Sequence, residues 1–281
     1  MDSPVEHGHA TPRHATPPRE DGRTAEKPLL LYEVRDGVAV LTLNHPERRN
    51  ALSRAMLQDL KRSLDRAAAD DQVRAVVIRA VGPVFSSGHD LRELVGQPEA
   101  DVSALFDVCT DVMETVRMLP KPVIAQVHAL ATAAGCQLVA TCDLVVASEN
   151  ATFATPGVKN GLFCTTPGVA VARAVGPRKA MEMLLTGTPI SAEEARRADL
   201  VNRIVPADRL EEETMALARQ VIAASAYTLA IGKRGFYQQI AKDRPEAYAV
   251  AQKVMVENAL APDAQEGMRA FLEKRPPRWR H

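Results

Sequence analysis

Two short runs in this chain combine small residues with groups that could handle charge. The first is Phe85-Ser86-Ser87-Gly88-His89-Asp90-Leu91, which follows an apolar stretch and a Gly82-Pro83 turn. Small side chains there let the backbone approach a ligand, and Gly88 can take the positive φ that turns amides toward it. The second is Ala131-Thr132-Ala133-Ala134-Gly135-Cys136-Gln137-Leu138. A helix is expected to begin near Ala134, where unpaired N–H groups and the helix dipole favour negative charge. Facing each other, two such loops would form an oxyanion hole, a pair of amides aimed at a developing enolate oxygen.

Side chains able to move a proton are scarcer. Gln137 exchanges hydrogen bonds but no proton near neutral pH, and Gly157, in Phe153-Ala154-Thr155-Pro156-Gly157, has no side chain. Asp90 is the nearest acid to the first loop, and reads either as a helix cap or as a catalytic group. His89 has a pKa suited to acid–base work, with its ring turned either to solvent or to ligand phosphates. His128 ends an apolar strand and reads as structural. Nothing near Cys164 in sequence lowers its thiol pKa, which argues against a nucleophile. Glu193, Glu194, Glu211, Glu212 and Glu213 stand at helix starts, where acids complement the dipole. Lys274, Arg275, Arg278 and Arg280, beside Phe271 and Trp279, read either as a solvated end or as the seat of a phosphorylated ligand or neighbouring subunit.

The elements that must position these runs follow from periodicity. Residues 29–35 and 38–43 flank Asp36-Gly37, a hairpin signal. Ser53 caps an amphipathic segment with Met56, Leu57, Leu60 and Leu64 at helical spacing. Residues 73–80, 122–127 and 144–147 are apolar runs of strand length, and residues 102–119 are helical. From Pro206 onward the pattern is helical almost throughout. Strand and helix alternate early and helices dominate late, so the expected class is α/β with a C-terminal α-helical region.

Composition narrows the classes further. Lys+Arg and Asp+Glu both number 35 in 281 residues, so bulk charge points to neither nucleic acid nor membrane. No run reaches the roughly 18 to 20 apolar residues of a membrane span. Cys109, Cys136, Cys142 and Cys164 have no zinc or redox spacing, and no metal site is expected. Their apolar settings read as reduced thiols in a cytoplasmic protein. Residues 1–27 are rich in Pro, Arg and acids with almost no large apolar residue, the pattern of a disordered tail. Metal binding by its His7, His9 and His14 is the less favoured reading beside a solvated tail.

Read together, the motifs resemble the crotonase (enoyl-CoA hydratase/isomerase) superfamily. Leu43-Asn44-His45-Pro46, Asn50-Ala51-Leu52, the 85–91 and 133–143 runs, Phe153-Ala154-Thr155-Pro156 and Gly176 occur in that family's order and spacing, from residue 29 to 279. The resemblance implies a crotonase-like spiral of ββα units over residues 28–205 and a C-terminal helical trimerisation region over 206–281. It implies an acyl-CoA thioester as substrate with no tightly bound cofactor, and a homotrimer or dimer of trimers. It gives the oxyanion amides to His89 and Ala134. Coenzyme A contacts go to Arg49, Ala51, Ser86, Ser87, Gly88 and Asp90, with Phe271 and Lys274 at its nucleotide end. Gln137 and Gly157 stand where the hydratases carry their two catalytic glutamates, as in one branch of the family that also lacks them. Each missing acid–base group is worth roughly 10² to 10⁴ in rate, so fast hydration is not expected. Gly157 would leave a void, with room for a small anion such as bicarbonate. The alternatives are a non-catalytic acyl-CoA binder and a different thioester reaction, hydrolysis or decarboxylation.

Overall fold

The computed structural model describes Met1 and residues 27–280; the tail expected to be disordered, with His7, His9 and His14, lies almost wholly outside the described residues. The chain enters through the hairpin β1 (Leu30–Arg35) and β2 (Val38–Leu43), turning at Asp36 and Gly37 with φ of 50° and 77°. Such left-handed values at both turn residues suit Asp-Gly. Next comes α1 (Arg54–Ala69), whose N-cap Ser53 accepts the Met56 amide, followed by β3 (Ala75–Ala80) and α2 (Glu99–Met118). Strand β4 (Val123–Val127) leads into the two-residue β5 (Ala131–Thr132) and then α3 (Ala134–Thr141). The middle of the chain supplies β6 (Leu144–Ser148), β7 (Thr152–Ala154), α4 (Thr165–Val175), α5 (Pro177–Thr186), β8 (Ile190–Ser191), α6 (Ala192–Arg197) and β9 (Arg203–Val205). Helices α7 (Leu210–Ile222), α8 (Ala226–Gln239), α9 (Arg244–Leu260) and α10 (Pro262–Leu272) complete it.

Six strands form one sheet in the order β1-β2-β3-β4-β6-β9, antiparallel only at the hairpin. Its central strands are buried on both faces, as parallel strands with crossovers require. Ala39, Leu41, Val76, Ile78, Val123, Ala125, Val145 and Ala147 face one core with α1 and α2. Val38, Val40, Val77, Ile124 and Val146 alternate with them and meet Leu210, Met215, Leu217 and Ala218 of α7 on the other side. Strands β5, β7 and β8 make a second, smaller sheet. The class is therefore α/β with a C-terminal helical region, as the alternation of patterns predicts.

Helix α8 is tied to the main sheet by a buried ion pair. Lys233 Nζ donates to Asp143 Oδ2 at 2.7 Å and to the Val116 and Lys121 carbonyls, while Tyr237 donates to Asp143 Oδ1 at 2.8 Å. Burial lowers the Lys233 pKa against the opposing pull of Asp143. Among the described residues no single helix is long and apolar enough to cross a membrane.

Candidate functional site

The first chemistry-bearing loop leaves β3, and a buried Val84-Phe85 pair carries it inward. Its shape is set from the other side by Asn50, which is fully buried. The Asn50 amide donates to the carbonyls of Val81 at 2.7 Å and Val84 at 3.0 Å and accepts the His45 amide. Arg49 and Asn50 both hold left-handed φ, 54° and 50°. That turn presents the Arg49 carbonyl to Ser87 N and the Asn50 carbonyl to Ser86 Oγ, and Leu52 N donates to the Gly88 carbonyl at 2.7 Å. Asn50 thus matters as a positioning residue, a role that its place in the Asn50-Ala51-Leu52 motif signalled only by presence.

The second loop comes from β5, which pairs in parallel with β7. Thr132 N donates to the Ser86 carbonyl and Ala133 N to the Ala154 carbonyl at 2.9 Å. Ala133 holds φ 52° and ψ −121°, a conformation that costs a residue with a Cβ about 1–3 kcal/mol. This turn precedes Ala134, the first residue of α3. The two loops touch closely: a Cβ on Gly88 would lie 2.7 Å from Ala133 Cβ and 3.1 Å from Ala134 N, and one on Gly135 would lie 2.7 Å from the Ser86 carbonyl oxygen. Neither His89 N nor Ala134 N donates a hydrogen bond among the described residues. Ala134 is fully buried, where unpaired amides are rare, and the His89 amide stands on the adjoining loop.

The structure sorts the expected site residues. Arg49, Ala51, Ser86, Ser87, Gly88, His89 and Ala134 are brought together. Within that group Ser86 is fully buried, its hydroxyl engaged with Asn50 and Gly88, so it shapes the loop and does not face a ligand. The reading of His89 as a solvent- or phosphate-facing ring is corrected. Its ring packs edge-on against Phe106 of α2 at 5.2 Å, Nε2 is buried without a partner, and burial lowers its pKa to about 4. It is a neutral imidazole at physiological pH. Asp90 is a cap: it accepts Arg92 N, and its ion pair with the Arg92 side chain holds its carboxyl below the usual range. Phe271 and Lys274 are not gathered here; they lie on or just after α10, whose packing partners include α8 and α9, with Phe271 82% exposed.

Gln137 sits one turn into α3, 6% exposed, with Oε1 lacking any partner among the described residues. The expected void at Gly157 is absent. A Cβ there would fall within contact of the Leu162 carbonyl oxygen and 2.7 Å from Cys164 Sγ. Chain and thiol fill the corner, because the turn at Gly161 brings residue 162 back so that Leu162 N donates to the Gly157 carbonyl. Burial raises the Cys164 pKa, with the Gly157 amide opposing, and pushes Cys136 up to about 12. Neither Gln137 nor Gly157 supplies a carboxylate, and Asp90, the nearest acid in sequence to the first loop, is paired with Arg92.

Comparison with known proteins gives the family and the fold. The enoyl-CoA hydratase/isomerase family model matches residues 33–281. The chain is 45% identical over 280 residues to the rat mitochondrial enoyl-CoA hydratase domain-containing protein 3, covering 99% of this chain and 92% of the rat protein. It is similar to the human protein of that name in its crystal structure, with TM-score 0.87, 47% identity, and coverage of 90% of this chain and 100% of that one. An enoyl-CoA hydratase structure from Mycobacterium smegmatis matches with TM-score 0.88 and 49% identity, covering 91% and 100%. These comparisons overturn the cytoplasmic expectation, since the rat, mouse and human relatives are all named as mitochondrial. Buried reduced thiols report a reducing milieu, which does not single out the cytosol.

Proposed function

The chain belongs to the enoyl-CoA hydratase/isomerase family, and on that footing we propose that it binds acyl-CoA thioesters and stabilises their enolates. The observation that carries this is the pair of unpartnered amides, His89 N and Ala134 N, on two loops held in mutual contact. Such donors are worth about 3 kcal/mol each to a developing oxyanion. By family the class is enoyl-CoA hydratase/isomerase, in fatty-acid metabolism, with the helical region packing chains into trimers or dimers of trimers. Fast hydration needs an acid and a base. Gln137, a His89 whose pKa is lowered to about 4, a raised Cys164 and an Asp90 committed to Arg92 supply neither at neutral pH.

A second reading, a non-catalytic acyl-CoA binder, is favoured by the filled corner at Gly157. Calorimetric titration with butyryl-CoA and crotonyl-CoA, beside loss of enoyl absorbance, tests both. We expect saturable binding, with hydration at least about 100-fold below that of a relative carrying both glutamates. Absence of binding overturns the acyl-CoA reading. Turnover at no enoyl chain length, with binding retained, leaves the binder. Hydrolysis or decarboxylation would show as release of free thiol or of CO₂ from the corresponding thioesters.

A further inference from the structure

The basic run at the C-terminal end divides in the structure. Trp279 turns inward: its indole Nε1 donates to the Ala223 carbonyl at 2.9 Å, and its ring lies 3.1 Å from where a Cβ on Gly267 would stand. Its two neighbours are pinned to α10 by their backbones, Arg278 N to Glu266 Oε1 at 3.0 Å and Arg280 N to Asp263 Oδ1 at 2.9 Å. Arg275 closes this strap with a two-pronged pair to Glu266 at 2.6 and 3.0 Å, and it also meets Glu273. Those Arg275 hydrogen bonds, with the Arg278 amide, hold the Glu266 carboxyl pKa down to about 2, so that charge is already engaged.

Between the strap and α10 lies a cavity of about 510 Å³, lined by Gln265, Glu266, Arg269, Arg275, Arg278 and Arg280. Its volume is in the range of small-ligand sites, and four positive charges line it against one negative. Arg269, Arg278 and Arg280 make no ion pair among the described residues. Surface cations standing singly are ordinarily just solvated. These three converge on one cavity, and two have their backbones already fixed, which lowers the ordering cost of binding a ligand. Planar guanidinium forks match phosphate oxygens, and three of them drawn from two segments suit a ligand with more than one phosphate. The positions that the family resemblance gives to the nucleotide end of coenzyme A lie elsewhere. Gln265, Glu266 and Arg269 share one face of α10, Phe271 lies about 160° round the helix from Arg269, and neither Phe271 nor Lys274 lines the cavity.

We propose that the cavity between α10 and the 275–280 strap is an anion site for a free di- or triphosphate, separate from the coenzyme A site. This goes beyond the acyl-CoA reading and does not depend on it.

The test is calorimetric titration of the full-length protein with inorganic pyrophosphate in magnesium-free buffer, with sulfate for comparison, without and with saturating coenzyme A. Pyrophosphate should bind saturably, at least about tenfold tighter than sulfate, and coenzyme A should leave its affinity within about twofold. The Arg278→Gln, Arg280→Gln double variant should weaken it by about tenfold or more, and Arg269→Gln should do so independently. Both should keep the wild-type circular dichroism, because backbone amides and Trp279 hold the strap, not these guanidiniums. Arg62→Gln with Arg196→Gln, which removes two exposed charges elsewhere, should leave the affinity within about twofold. No saturable binding overturns the site. So does sulfate binding as tightly as pyrophosphate, or an equal loss in the Arg62, Arg196 variant, since either is bulk attraction of anions. Displacement by coenzyme A assigns the cavity to the coenzyme's own diphosphate and overturns a separate site, while the acyl-CoA reading stands.

Discussion

At the scale of single residues, burial decides what the site's groups can do. His89 carries a side chain suited to proton transfer, yet Phe106 and the surrounding core depress its pKa to about 4. A histidine buried in its neutral form is stabilising above its unfolded pKa of about 6.5, and that contribution fades as pH falls toward the folded value. Lowering the pH from 7 to 4.5 should therefore cost about 2 kcal/mol through His89 alone. Urea midpoints of wild type and His89→Gln at both pH values measure it; an equal acid loss in the variant would refute the assignment. Gly157 illustrates the same principle through space instead of charge. Adding a glutamate at 157 must displace the Leu162 carbonyl and Cys164 Sγ, so Gly157→Glu should destabilise by about 1–3 kcal/mol or more and restore no hydration. Gln137→Glu does not meet that steric obstacle. Finding Gly157→Glu as stable as wild type by thermal unfolding would show that the turn yields. Sequence made both positions visible as departures from the hydratase pattern. It could not show that the corner was filled, because the atoms that fill it come from residues 162 and 164 across a chain reversal, nor that His89 would meet a side chain of α2.

At the scale of elements, the site depends on how one buried side chain locks two loops. Asn50 holds the Val81 and Val84 carbonyls and the His45 amide while its own backbone is left-handed. Alanine at that position leaves buried polar groups unpaired and also strains the backbone, so Asn50→Ala should cost about 3 kcal/mol in urea unfolding. Asn50→Gly, which relieves only the backbone term, should cost less. Similar losses for the two would remove the conformational part of the argument. Elements with strong local signals were readable beforehand: Asp36-Gly37 for the hairpin, Ser53 for α1, and the apolar runs of β3, β4 and β6. Strands β5, β7 and β8 were not, since runs of two or three residues are too short to show alternation. Yet β5 and β7 carry Thr132 and Ala133 into place. The apparent contradiction has a physical reason: these strands exist through pairing with each other and with the 86–88 loop, not through their own propensity.

At the scale of the whole molecule, the single chain leaves an apolar surface that water should not keep. No residue of α9 is buried, and Met255, Leu260 and Phe271 are 68%, 73% and 82% exposed, with Tyr248, Leu272 and Ile240 similarly open. Isolated exposed apolar residues are ordinary, but surfaces this rich on neighbouring helices are the kind used for contacts in other proteins, and we propose that this one meets another copy of the chain. Phe271 lies on α10 and Lys274 just after it; the family resemblance assigns this pair to the nucleotide end of coenzyme A, and we carry that assignment as a proposal. If assembly is what brings α10 of one chain to the acyl-CoA site of another, oligomerisation and ligand affinity must be linked. The Met255→Glu, Leu260→Glu double variant places two charges on exposed apolar positions of α9 without touching either amide loop. It should sediment as a monomer where wild type sediments as a trimer or larger, retain its helical circular dichroism, and bind butyryl-CoA roughly tenfold more weakly. A wild-type monomer would dispose of the interface. A folded monomeric variant with unchanged affinity would keep the interface but confine the CoA site to one chain, leaving Phe271 and Lys274 without a part in it.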